Sequence, residues 1–102
     1  MDRTIIKSVK KFAELVSKEF AVKKIILYGS YAKGTPNENS DIDVAVILDR
    51  YEGDILKANS RLFALVRDID VRIEPILLEF EHDKSGFIES IMRYGKVVFS
   101  SN

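Results

Sequence analysis

The chain has 102 residues, and 1–102 reads as a single domain with room for one core and none for a second, substrate-carrying domain. Sixteen basic and sixteen acidic residues cancel, which removes the electrostatic reason to expect a nucleic acid as main partner. The absence of cysteine excludes disulfides and thiolate metal sites, and no apolar run is long enough to span a bilayer, so the expected setting is cytoplasmic.

Charge is uneven along the chain. Residues 1–33 carry eight Lys or Arg against three Asp or Glu, and residues 34–102 carry eight against thirteen. Lys7, Lys10 and Lys11 interrupt any apolar stretch that a secretory signal needs. The basic excess reads plainly as a solvated helix face; a docking face for an acidic partner is the sharper alternative.

Residues 4–20 are predicted to be an amphipathic helix, because Ile5, Val9, Phe12, Val16 and Phe20 recur at spacings of four, three, four and four. Residues 24–28 form a nearly continuous apolar run, expected for a strand covered on both faces. It ends in Gly29-Ser30. Ser30 to Lys33 read as a short helical turn that Ser30 caps and Gly34 ends, and residues 35–40 as a polar loop.

Residues 41–48 are the second predicted strand. Asp41, Asp43, Ala45 and Ile47 share one face, and Ile42, Val44, Val46 and Leu48 the other. One face is wholly apolar; the other turns from charged to apolar along its length. A helix is expected from about residue 53 to 69, with Ile55, Leu62, Leu65, Val66 and Ile69 inward. Residues 70–79 read as a third strand, with Asp70, Arg72, Glu74, Ile76 and Leu78 on one face. Pro75 removes a ladder donor and places that strand at an edge or at a bulge. A charged loop over residues 79–86, a short helix over 87–94 ended by Gly95, and a strand over 96–99 complete the chain. The fold class is α/β: a small mixed β-sheet with flanking helices.

The informative spacing is Gly29-Ser30, ten residues, then Asp41-Ile42-Asp43. Two carboxylates at i and i+2 of a strand lie roughly 6.6 Å apart along it and repel unless a cation sits between them. Glycine lets a ligand approach the backbone, and a turn that opens a helix presents free N–H groups to phosphate. For Gly29-Ser30 alone a plain capped turn explains as much; for Asp41 alone, so does turn chemistry. Neither explains Asp43, which lies inside an apolar strand.

Gly29-Ser30, the Asp41-x-Asp43 pair and a later acidic residue resemble the nucleotidyltransferase superfamily related to polymerase beta. The wording Gly29-Ser30-Tyr31-Ala32-Lys33-Gly34 resembles its minimal members, the antitoxins of HEPN/MNT toxin–antitoxin pairs. The resemblance implies that Gly29 and Ser30 hold the β- and γ-phosphates of ATP. It implies that Asp41, Asp43 and a third carboxylate bind two Mg²⁺ ions and carry catalysis. Asp70 and Glu74 are too far apart for both to join the pair, and Glu74 in its hydrophobic-Glu-Pro setting occupies the family's third position, where Asp is usual. Asp70 reads as a turn residue beside Arg72. Lys33 and Asn39 flank the motif and read as solvent-facing, Tyr31 as packing, and His82 carries no metal-site spacing.

The implied activity is transfer of AMP from ATP to a hydroxyl acceptor, a tyrosine of a partner HEPN-domain toxin. Two other functions fit the same residues: an antitoxin that acts by binding alone with an inactive nucleotide site, and a subunit of a small-molecule adenylyltransferase. Nucleic-acid polymerisation ranks last, since no basic groove or stacking-aromatic pattern is present.

Overall fold

The computed structural model describes residues 3–29, 41–83 and 85–101. The elements run α1 (Arg3–Glu19), β1 (Lys24–Tyr28), β2 (Ile42–Leu48), α2 (Ile55–Arg67), β3 (Ile73–Glu79), a 3-10 turn (Phe80–His82), α3 (Phe87–Tyr94) and β4 (Lys96–Ser100). The four strands make one mixed sheet in the order β3-β2-β1-β4. β1 is antiparallel to β2 and to β4, whereas β2 and β3 are parallel and joined through α2. The expected small mixed α/β sheet is the observed one.

Helices α1 and α2 cover one sheet face. The alternation in β2 sends Ile42, Val44, Val46 and Leu48 into the same cluster as Val9, Phe12, Val16 and Leu62, all of them buried. Among the described residues the opposite face is covered by α3, whose Ile88 and Ile91 pack on Ile26, Ala45 and Ile47. Toward the end of this face that carries Asp43, burial falls from Ala45 to the half-buried Asp43 and the exposed Asp41. Gly95 sets how closely α3 lies on β1: a Cβ there would come within 2.6 Å of Ile91 O and 2.8 Å of Leu27 O. No described helix is long and apolar enough to cross a membrane.

Several boundaries differ from expectation. Helix α2 starts at Ile55 because Asp54 caps it, its Oδ1 accepting from Leu56 N at 2.9 Å and Lys57 N at 3.3 Å. Its inward row runs through Ala58, Leu62, Leu65 and Val66, leaving Ile55 in the first turn 36% exposed. Strand β3 begins at Ile73 rather than Asp70. Asp70 Oδ1 accepts from Arg72 N at 3.0 Å, and Asp70 O from Ile73 N at 3.1 Å, so a local turn takes the groups a ladder needs. Pro75 lies on an edge strand in regular register with Val44; the bulge falls elsewhere, between β1 and β4 at Ile25/Ile26. The loop after β3 contains the 3-10 turn, and α3 is capped from outside, by Asp83 Oδ2 on Ile88 N and Ser85 Oγ on Phe87 N.

Candidate active site

Strand pairing assembles the site. Tyr28, the last residue of β1, is opposite Asp43 on β2, and Asp43 is opposite Glu74 on β3. Residues in lateral register project from the same sheet face, so Tyr28, Asp43 and Glu74 form a row across three strands. Asp41 stands two residues before Asp43 and therefore on the same face. The ladder reaches that far because Ile42 N donates to Arg72 O at 2.8 Å. Along β2 the sequence Asp41, Asp43, Ala45, Ile47 passes from exposed, through half-buried, to fully buried under α3.

The electrostatics follow from this crowding. Burial, then the Asp41 charge, pushes the Asp43 carboxyl above the usual carboxylate range. Glu74 is pushed up by the Asp41 charge first, then by burial, by Asp43, and by a hydrogen bond between its protonated carboxyl and Asp41. Tyr28 is raised by burial and by the charges of Asp43 and Glu74. The Asp41 charge thus disfavours ionisation of Asp43 and Glu74, and a cation relieves that cost.

Gly29 follows Tyr28 with φ +75°. A Cβ at this position would overlap Asp43 Oδ2 and lie 3.2 Å from its Cγ. The turn thus needs glycine twice, for its left-handed backbone and for the carboxylate lying against it. Ser30, with the expected turn over 30–33, Tyr31, Lys33 and Asn39, lies outside the described residues.

Of the two candidates for a third carboxylate, Glu74 is gathered with Asp41 and Asp43. Asp70 is engaged by Arg72, with Oδ2 2.7 Å from Nη2 and Oδ1 3.0 Å from Nε, which holds its carboxyl below the usual range. His82 lies in the 3-10 turn, 3.7 Å from Glu79 Oε2. Among the described residues no three acidic, His or Cys side chains already close around one point. The donor set of Asp41, Asp43 and Glu74 is nevertheless all oxygen and anionic, which fits a hard ion such as Mg²⁺ that keeps several waters and shares substrate phosphates. Tyr28 is not legible in the sequence as a neighbour of this row, since a period-2 pattern does not disclose which residues pair across strands.

A mixed four-stranded sheet with a glycine turn and a row of carboxylates at one end of a sheet face is the arrangement of a nucleotidyltransferase-type domain. Residues 10–102 match the family described as "Polymerase beta, Nucleotidyltransferase", and the chain belongs to that family and is a nucleotidyltransferase. A Methanocaldococcus jannaschii protein named as a candidate protein adenylyltransferase is 32% identical over 95 residues, spanning 89% of this chain and 92% of its own. Among solved structures, a chain of a toxin-antitoxin complex with AMP-PNP superposes with TM-score 0.67 and 22% identity, covering 91% of this chain and 74% of that one. A mutant of the toxin-antitoxin pair MntA-HpeT, with two aspartates two positions apart changed to glutamate, superposes with TM-score 0.68 and 22% identity, covering 90% and 73%.

Proposed function

We propose that this chain transfers AMP from Mg-ATP to a hydroxyl of a protein acceptor, and that the acceptor is a tyrosine of a HEPN-domain toxin which the transfer inactivates. The observation that carries this reading is the row of Asp41, Asp43 and Glu74 beside Gly29 at one end of the sheet. A relative named for protein adenylylation supports the protein acceptor, and the AMP-PNP complex supports the nucleotide. Structural likeness to chains of two toxin-antitoxin complexes supports a toxin partner, and the HEPN class comes from the family resemblance.

In this reading Asp41, Asp43 and Glu74 would hold two Mg²⁺ ions. The chemistry Mg²⁺ supplies when bound is neutralisation of the triphosphate and polarisation of the acceptor hydroxyl. The Gly29-Ser30 turn seats the β- and γ-phosphates through backbone N–H groups and the serine hydroxyl. Glu74 receives the proton as the acceptor oxygen bonds to the α-phosphorus; the bond from that phosphorus to the bridging oxygen breaks, and pyrophosphate leaves.

Incubation with ATP labelled at the α-phosphate and a co-purified HEPN-domain partner tests the proposal. Label is expected on a partner tyrosine, reduced more than about a hundredfold by Asp43→Asn, because metal stabilisation of the transition state is worth several kcal/mol. Full neutralisation of the toxin by the Asp43→Asn protein, with no label transferred, establishes the binding-only antitoxin instead.

A further inference from the structure

On the sheet face that carries the acidic row, a pocket of about 170 Å³ opens between the end of β1 and helix α3. Tyr28 and Phe87 line it, their rings edge-to-face with centroids 5.9 Å apart and planes at 89°. Ser90, Ile91 and Tyr94 of α3, with Gly29 and Gly95, complete the described lining. Tyr94 is 66% exposed and Phe87 41%, large aromatic surfaces to leave open at the mouth of a cleft.

Size, lining and position each restrict the occupant. Sites that enclose a whole ligand run to roughly 300–1,000 Å³, so this one accepts a single ring system and leaves the rest of its ligand outside. The described lining residues offer three aromatic rings, the Ile91 side chain and the Ser90 hydroxyl, surfaces that suit a flat ring. The pocket lies on the Tyr28 side of Asp43, with Glu74 on the opposite side. In-line displacement sets the acceptor and the leaving pyrophosphate on opposite sides of the α-phosphorus. With the acceptor on the Glu74 side and pyrophosphate at Gly29, a ring on the β1 side belongs to the nucleotide.

We propose that this pocket seats the base of the nucleoside triphosphate, held by the aromatic rings of Tyr28, Phe87 and Tyr94 with Ser90 positioned to hydrogen-bond its edge. The proposal rests on the reading of the acidic row as the nucleotidyl-transfer site and adds the element of the chain that selects the nucleotide. It also gives the short helix α3 a second role beyond roofing the sheet.

Isothermal titration with two probes, Mg-ATP and Mg-tripolyphosphate, separates base from phosphate on the wild type and on Tyr94→Ala, Ser90→Phe and Asp43→Ala. Tyr94 and Ser90 are exposed, so both pocket changes leave the core intact, and Ser90→Phe fills the pocket. Stacking on an aromatic ring typically changes affinity on the order of ten- to a hundredfold. The expected result is a loss of that size for Mg-ATP in Tyr94→Ala and Ser90→Phe, with Mg-tripolyphosphate affinity unchanged. Equal losses for both probes, or wild-type Mg-ATP affinity in both pocket variants, overturn the proposal. Unchanged ATP affinity with a raised KM for the acceptor does the same and hands the pocket to the acceptor ring. If neither probe binds the wild type, or Asp43→Ala binds both as well as wild type does, the underlying reading of the acidic row fails and takes this one with it.

Discussion

Asp43 lies where three strands meet, with Tyr28 and Glu74 on either side and Gly29 against its carboxylate. Burial and the Asp41 charge raise it, and the Asp41 charge chiefly raises Glu74. A carboxyl raised in the folded state holds its proton more tightly folded than unfolded. Its favourable contribution is therefore complete below the unfolded value and declines as pH rises from about 4 through the raised folded value. In metal-free buffer Asp43→Asn is expected to melt above wild type at pH 7, with the difference shrinking toward pH 3; a pH-independent difference contradicts the crowding. Asp70 and Glu19 run the other way, lowered by Arg72 and Arg61, and stabilise above their unfolded values until pH falls through the folded ones. Gly29→Ala adds a Cβ in a left-handed conformation, a cost of about 1–2 kcal/mol, and displaces Asp43. Urea denaturation should show that loss, and Mg-ATP binding should weaken beyond it.

Among the described elements, α3 has the least redundancy, since no other described helix covers the face that carries the acidic row. Gly95→Ala drives a Cβ against two backbone carbonyls, and overpacking of this kind costs about 1–3 kcal/mol. The expected signature is a lowered melting temperature together with weakened Mg-ATP binding; an unchanged Tm means that α3 is not pinned at this point. Alternation in residues 41–48 makes β2 and its charged-to-apolar switch legible from sequence, because one face needs an apolar partner and the other cannot supply one. The same alternation misplaces the start of β3. Asp70 and Arg72 fit a strand by period, and only their local hydrogen bonds disclose a turn. Glu74 is distinguishable from Asp70 by its place in the strand, whereas Tyr28, Phe87 and Tyr94 are out of reach of any local pattern. Their association depends on β1–β2 register and on where α3 lands, which are long-range facts. Periodicity starts helix α2 too early because it cannot see the Asp54 cap.

For the molecule as a whole, the two sheet faces divide the labour. Helices α1 and α2 bury one face in the main core, while the opposite face holds a smaller cluster under α3 and the acidic row at one end. Lys7, Lys10, Lys11 and Lys18 all lie on the exposed side of α1, as a solvated basic face requires. The central claim is that the acidic row binds a nucleoside triphosphate through Mg²⁺. A thermal-shift titration with ATP, with and without Mg²⁺, on wild type and Asp43→Ala tests it most directly. Ligand at a hundred times its dissociation constant adds about 2.7 kcal/mol, a rise of several degrees in Tm for a domain of this size. The account predicts that rise for wild type with Mg²⁺ present and its loss in Asp43→Ala; an equal rise in the mutant, or one indifferent to Mg²⁺, contradicts it.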